Sequence, residues 1–274
     1  MRWFVATMLG LAGCATGGLP TDRLPVSTSG AEIPGSEAVV VATAGEVTLD
    51  GKRIASVKAV LGGSNPVVQP LYDGLIRKAG QIAARAASDP GAPAFRGALG
   101  LQVDKDLPAE LLIRIVDTAG QASFGLPWVV VTDGDRGRYG IKLTLPSVAA
   151  AGVKSAEASG EVVHGGYANP RVEVLPDRGY VVHARDRVVD PGQGLVLPCT
   201  PAPCTSGWPV LDLTRLARRI KLDHPRDRAV VVAPAPQATV QTTVTALDAT
   251  RTDALAGRGT HELFPDALLG TGVK

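Results

Sequence analysis

Hydrophobic residues recur along this chain with two different periods, and the order of those periods predicts an α/β fold. The run Ala38–Ala42 predicts a buried strand. Val47 and Leu49 alternate ahead of Asp50-Gly51, a strong signal for a two-residue hairpin turn. The elements predicted next are a helix with Leu75, Ala79 and Ile82 on one face, a strand at 98–103, a helix from Pro108 to Gly120 and a strand at Trp128–Thr132.

The second half of the chain repeats this order. A strand and hairpin are predicted within 171–189, a helix within 211–220, a buried strand from residue 229 and a further helix within 242–250. We therefore predict two tandem small α/β domains of the α+β two-layer class, each β-β-α-β-α-β with helices on one face of a four-stranded sheet. The aligned positions are Gly45, Val47 and Ile54 with Gly179, Val181 and Val188, and Asp117 with Asp248.

These patterns predict five segments: a signal peptide at 1–13, a lipidated Cys and flexible tether at 14–36, a first domain at 37–146, a linker at 147–170 and a second domain at 171–274. The tether is predicted from its prolines, Gly and Ser and from its lack of apolar periodicity. We also expect an extra strand at Ile141–Leu145, a superposition of Glu37–Thr132 on Arg171–Phe264, and sheet edges of the two copies that meet each other or another chain.

The N-terminal stretch "MRWFVATMLGLAGC" predicts export. One cation, Arg2, precedes an uncharged run from Trp3 to Gly13, which is shorter than the roughly 20 residues that span a bilayer. The ending Leu-Ala-Gly-Cys resembles the lipobox of bacterial lipoproteins, and this resemblance implies cleavage before Cys14 and lipidation of that residue. An ordinary signal peptide, or a short buried helix with an incidental Cys, is the alternative. Lipidation predicts a periplasm-facing protein anchored in a membrane. In the lipoproteins that this sequence resembles, an Asp after the Cys signals retention in the inner membrane, so Ala15 implies that the outer membrane is favoured and the inner membrane is the alternative.

The other two cysteines stand close together in "LPCTPAPCTSGW". In an oxidising compartment, Cys199 and Cys204 predict a local disulfide across a Pro-rich loop. A zinc site would need two more ligands, and the four histidines are scattered, so we predict no metal and no cofactor. The net charge of +2 and the absence of a basic stripe with aromatics argue against nucleic acid as a partner.

Three consecutive charges, Asp104, Lys105 and Asp106, lie where the apolar strand "GLQV" meets the helix that Pro108 opens. They are compatible with an acid/base pair, half a metal site, a phosphate contact or a solvated turn. Successive side chains diverge, whereas acid/base catalysis needs two groups directed at one point. We interpret the turn as solvent-exposed and helix-capping, with contact to a partner as the alternative and no catalytic role.

With these elements placed, the first half resembles the periplasmic domain of the ExbD/TolR family of biopolymer transport proteins. The resemblance rests on a strand-hairpin with "LDGKRI", a helix, an apolar strand running into "VDKDLP", and a helix ending "VDTAG" before another strand, over roughly Glu37 to Thr132. The family normally carries a membrane helix with an acidic residue that takes part in proton-driven motor action. The N-terminal apolar run here has no Asp or Glu, so the resemblance implies fold and location but not proton translocation.

These features together predict a non-enzymatic lipoprotein that is an accessory or structural component of such an envelope energy-transduction system. The expected partners are envelope proteins or peptidoglycan, with a homodimer or intramolecular pairing of the two domains. The alternative is a small-ligand-binding module that uses the cleft between the domains.

Overall fold

The computed structural model describes residues 18–89, 91–134, 137–143, 168–186, 189, 194–200, 204, 207–253 and 261–270. It contains a six-stranded sheet in the first half of the chain and a five-stranded sheet in the second half. Helices accompany both sheets, so the predicted α/β fold class with two domains is confirmed.

The first sheet has the strand order β3-β2-β1-β4-β5-β6. Strand β1 is antiparallel to β2 and parallel to β4, and β4 is parallel to β5. The strands are β1 (Ala38–Ala42), β2 (Glu46–Leu49), β3 (Lys52–Ser56), β4 (Ala98–Val103), β5 (Leu126–Thr132) and β6 (Arg138–Lys142), and the helices are α1 (Val57–Gly62), α2 (Gln69–Ser88) and α3 (Ala109–Gln121).

The second sheet has the strand order β13-β10-β7-β8-β9. The strands are β7 (Arg171–Leu175), β8 (Gly179–His183), β9 (Leu195–Pro198), β10 (Ala229–Pro234) and β13 (Asp266–Leu269), and the helices are α4 (Val210–Asp223) and α5 (Val240–Arg251). A separate two-stranded sheet joins β11 (Thr252–Asp253) to β12 (His261–Glu262).

The two sheets share one topology. Strand β7 is antiparallel to β8 and parallel to β10, and β10 is parallel to β13, as β1, β2, β4 and β5 are in the first sheet. The prediction of four strands per sheet was too low. Strands β3 and β9 each add an edge strand beside β2 and β8, and β6 extends the first sheet further. The extra strand β6 ends at Lys142, whereas the pattern predicted it at Ile141–Leu145, and residues 144–145 lie outside the described part.

The strand-pairing registers shift the alignment of the two hairpins by one residue from the one predicted above, which allowed no gap. In the first copy Leu49 pairs with Val40, and in the second Val182 pairs with Val172 at the matching step of the ladder. The buried counterpart of Val47 is therefore Tyr180 and not Val181. A shift of one residue moves a side chain to the other face of a sheet, so this difference decides which residues form the core. The proposed counterpart of Ile54, Val188, lies outside the described residues.

Helices α3 and α5 begin where the two copies meet. The backbone N–H of Ala109 donates to the Ala238 carbonyl at 2.7 Å, and that of Val240 donates to the Leu107 carbonyl at 2.8 Å. These two bonds flank an antiparallel bridge between Pro108 and Thr239. Since Ala109 and Val240 are the first residues of equivalent helices, the bonds are reciprocal, as across a two-fold axis.

One hydrophobic core continues through both copies. The same cluster of buried residues contains Leu101 and Ile115 from the first copy and Val232 and Leu247 from the second. We expected sheet edges of the two copies to meet. Among the described residues, the strand pairings stay within each sheet, and the copies instead join through the strand-to-helix connections. Because the copies join at these connections, the faces of α3 and α5 remain available to bury apolar side chains.

The segment predicted as a flexible tether is folded where the structure describes it. Residues 18–36, the N-terminal arm, cross the face of the first sheet that is remote from its helices. Leu19 and Leu24 are buried there against Val41 and Val130. The prediction failed because two widely spaced leucines bury apolar surface without forming any local periodicity. The linker predicted at 147–170 lies outside the described residues as far as residue 167.

Candidate functional site

The Asp104 turn is the attachment point of the N-terminal arm. Asp104 is only 3 % exposed, and its carboxylate accepts hydrogen bonds from two guanidinium nitrogens of Arg23, at 2.9 and 2.5 Å. This hydrogen bond and the charge of Asp104 raise the pKa of Arg23. A guanidinium can donate two hydrogen bonds to one carboxylate and also carries the opposite charge. Arg23 therefore compensates the charge of the buried Asp104.

The other two charges of the turn have separate roles. Lys105 donates from its ammonium to the Asp22 carbonyl at 2.8 Å, and its backbone N–H donates to the Arg23 carbonyl at 2.9 Å. Asp106 lies 3.4 Å from Arg23 and is largely exposed. The backbone N–H of Asp106 donates to the Asp104 carboxylate at 3.1 Å, which closes the turn locally.

The turn thus differs from the predicted exposed cap. Asp104 is buried, and helix α3 begins at Ala109 after Pro108 with no side-chain cap. The carboxylate is committed to the arm and to its own turn. In the second copy the corresponding step is Ala235-Pro236-Gln237, which has no charge to bind an equivalent arm.

Asp248 on α5 is the second attachment point of the arm. Its carboxylate accepts from the Ser27 hydroxyl at 2.8 Å, the Thr28 backbone N–H at 2.9 Å and the Ser29 hydroxyl. Burial raises the pKa of Asp248, and the hydrogen bonds from the arm oppose that rise. About two turns earlier on α5, the Gln241 side-chain amide bonds to both backbone groups of Val26: its oxygen accepts from the Val26 N–H at 2.8 Å, and its nitrogen donates to the Val26 carbonyl at 3.0 Å. The arm of the first copy is therefore held by the helix of the second.

Asp117 on α3 is the counterpart of Asp248 but has a different environment. It is half-buried, and burial raises its pKa. No hydrogen bond to its carboxylate is found among the described residues. The sequence paired Asp117 with Asp248 correctly as repeat positions. Sequence reasoning missed that Asp248 binds the arm and Asp117 does not. The feature that could have indicated a binding segment is the run of hydroxyl side chains Ser27-Thr28-Ser29.

The predicted disulfide pairing is confirmed. The sulfurs of Cys199 and Cys204 lie 1.96 Å apart, and their Cα atoms are 5.4 Å apart. The backbone N–H groups of the two cysteines donate to the carbonyls of Arg178 and Pro176 at 3.3 and 2.8 Å. These backbone bonds hold the two joined cysteines against the turn between β7 and β8. The lipidation site predicted at Cys14 lies outside the described residues.

The described part of the chain contains no group of His, Cys, Asp and Glu residues arranged to hold a metal ion. No helix within it is both long and apolar enough to cross a membrane. A cavity of about 10 Å³ lies in the second copy, lined by residues such as Val172, Leu213 and Phe264. That space fits a single water molecule at most, and it lies inside one copy rather than between the two.

Comparison with protein-family models, with curated proteins and with solved structures found no match to this chain. The ExbD/TolR resemblance therefore rests on the sequence features described above.

Proposed function

We propose that this protein is a periplasm-facing lipoprotein, anchored through Cys14, that serves as a non-enzymatic accessory or structural component of an ExbD/TolR-type envelope transport or energy-transduction system. Its partners in this proposal are envelope proteins or peptidoglycan. The outer membrane is the favoured site of anchoring, because Ala15 follows the Cys.

The observation that carries the proposal is the reciprocal pairing of two copies of one α/β unit. In the family that the first half resembles, periplasmic domains pair as dimers. Here the bonds from Ala109 to Ala238 and from Val240 to Leu107 supply such a pairing within one chain. The disulfide between Cys199 and Cys204 is consistent with an oxidising compartment.

The roles of the charged residues also support a structural rather than a chemical function. Asp104 and Asp248 both bind the arm, through Arg23 and through Ser27 to Ser29. Their carboxylates are used to hold the chain together across its two copies. A scaffold that binds partners needs its elements held in a fixed arrangement. The contacts of Asp104 and Asp248 with the arm hold elements of both copies in this way.

The test is crosslinking of the full-length protein in intact envelopes, followed by mass spectrometry and by binding to purified peptidoglycan. The matched control is Cys14→Ser, which should leave the unprocessed form and abolish detergent-phase partitioning. We expect crosslinks to components of an envelope transport system, or retention on peptidoglycan. A processed protein that crosslinks to neither, or a Cys14→Ser variant that partitions as before, would contradict the proposal.

A further inference from the structure

The N-terminal arm buries its apolar side chains in a small cluster of its own, separate from the core that runs through both copies. Leu19 and Leu24 of the arm pack there against Val41 and Val130 of the first sheet. None of these four residues belongs to the main cluster. Burial of apolar surface is the dominant favourable term in folding, so the arm can leave this patch while the main core stays buried.

The middle of the arm is held by hydrogen bonds to side chains of α5. Gln241 binds both backbone groups of Val26, and Asp248 accepts from Ser27, from Ser29 and from the backbone N–H between them. Val26 itself is 46 % exposed. Each of these bonds replaces a bond to water, so its net contribution to stability is small. Contacts to the main chain and to selected side chains are also those by which folded proteins recognise an extended peptide.

A short exposed connection joins the arm to β1. Pro34 and Gly35 are exposed, and a Cβ atom at Gly35 would meet nothing within 4 Å. The Gly35 carbonyl accepts one exposed hydrogen bond from the Arg96 guanidinium at 3.2 Å. Glu37, by contrast, is fixed, because its carboxylate accepts from the backbone N–H groups of Arg96 and Ala98, both at 2.8 Å. Movement of the arm about this connection therefore leaves the pairing of β1 in place.

We propose that the N-terminal arm is an internal ligand that undocks as a unit and thereby opens a peptide-binding groove on the folded protein. The groove consists of the Asp104 carboxylate, Val41 and Val130 on the first sheet, and Gln241 and Asp248 on α5. Its other occupant is an extended segment of a partner protein with the features of the arm: an arginine, a leucine directly after it, and hydroxyl side chains three and five residues beyond the leucine. This inference goes beyond the proposed function and depends neither on the lipid anchor nor on the family resemblance.

The docked arm competes with any incoming segment. A second segment binds only those molecules whose arm is undocked, so its apparent affinity is reduced by the undocked fraction. A change that weakens the arm without altering the groove should therefore tighten the binding of the second segment. Arg23 permits such a change, because its removal from the arm leaves the Asp104 carboxylate in place for the arginine of an incoming segment.

The experiment measures the binding of a fluorescently labelled synthetic peptide of residues 18–36 to the full-length protein, by fluorescence anisotropy. The chains compared are the wild type, Arg23→Ala and Glu32→Ala. Glu32 is the matched control, because it is an exposed charged residue of the same arm for which no hydrogen bond or ion pair is found among the described residues. A second peptide, in which Ala replaces Arg23, tests whether the Asp104 carboxylate recognises the arginine. Circular dichroism verifies that each chain is folded.

We expect the peptide to bind the Arg23→Ala chain roughly tenfold more tightly than the wild type, since the arm has lost two charge-assisted hydrogen bonds. The Glu32→Ala chain should bind the peptide as the wild type does, and the peptide without the arginine should bind the Arg23→Ala chain roughly tenfold more weakly. If Arg23→Ala does not fold, the double variant Ser27→Ala/Ser29→Ala replaces it with the same expectation.

Equal affinity of the peptide for all the chains, or no binding to the chain with the weakened arm, would overturn the inference. The same holds if removal of the arginine from the peptide has no effect on its affinity. Each of these results would leave the proposed envelope function standing, because crosslinking and detergent partitioning test that function separately.

Discussion

Asp248 and Asp117 occupy the same position in the two copies, and their surroundings decide what each contributes. Asp248 accepts three hydrogen bonds from the arm, whereas Asp117 is half-buried with none found among the described residues. A buried carboxylate stabilises a fold only when enough donors compensate its lost hydration. The pair therefore offers a matched comparison of a buried carboxylate that accepts hydrogen bonds and a half-buried one with none found among the described residues.

Asp248→Ala should destabilise the protein by about 2–3 kcal/mol, because the Ser27, Thr28 and Ser29 donors lose their acceptor. Asp117→Ala should change the free energy of unfolding by less than about 1 kcal/mol. Urea denaturation of both variants measures the difference. Equal losses in the two variants would show that the arm contacts do not contribute to stability.

Asp117 should contribute to the pH dependence of stability, as should the other aspartates whose pKa burial raises. Burial raises the pKa of Asp117 above the ordinary value of about 3.8, so between that pH and the raised pKa the folded state binds more protons than the unfolded state. The charged carboxylate thus lowers stability at neutral pH, and this penalty disappears as the pH falls through that window. Asp117→Asn should be more stable than the wild type at pH 7 and equal to it near pH 3.8, measured by denaturation across the range. A constant difference at all pH values would contradict the assignment.

At the scale of elements, the arm adds two isolated β-bridges to the first sheet. Ala31 and Gly140 exchange two backbone hydrogen bonds, at 2.9 and 2.8 Å, and Val26 bridges to Thr132 at the end of β5. On the outer edge of β6, the backbone groups of Gly140 are thus already paired and cannot pair with another chain.

Gly30→Ala should loosen this arm. A Cβ atom at Gly30 would lie 2.5 Å from the Cβ of Tyr139, so the arm or β6 must move. The expected cost is about 1–3 kcal/mol. Gly35→Ala is the matched control on the same arm, since nothing lies within 4 Å of the added methyl group. Thermal unfolding and amide hydrogen exchange at Gly140 measure both; unchanged protection of Gly140 in the Gly30 variant would refute the arm packing.

The regular elements could be predicted from sequence because periodic burial determines them. The strand at 98–103 and the helix after Pro108 appear as the apolar pattern indicated. The arm could not be predicted in this way. Its stability depends on distant partners, Asp104 and Asp248, which become neighbours only after both copies have folded. The one-residue error at Val47 and Tyr180 has a related cause, because an ungapped alignment does not register a change in the length of a turn.

At the scale of the whole molecule, the two copies form one structural unit rather than two independent domains joined by a linker. The buried core runs through both, and the arm binds the Asp104 turn in one copy and α5 in the other. The reciprocal bonds at Pro108 and Thr239 close the junction between them. When two folded regions share a core, unfolding one exposes apolar surface of the other, which couples their stabilities.

We therefore expect both copies to unfold in a single transition. Trp128 lies on β5 of the first copy, and Trp208 packs against Tyr180 in the second with ring centres 5.0 Å apart. Variants that retain only one of these tryptophans, each with Trp3 also replaced by Phe, report the two copies separately. Their fluorescence transitions in urea should share one midpoint, and that midpoint should match the loss of far-UV circular dichroism in the same samples. Asp248→Ala, introduced into both variants, should lower the two midpoints together, since the arm links the copies. Two separate midpoints in the unmutated background, or a shift confined to one reporter, would show that the copies fold independently and that the shared core contributes little to their association.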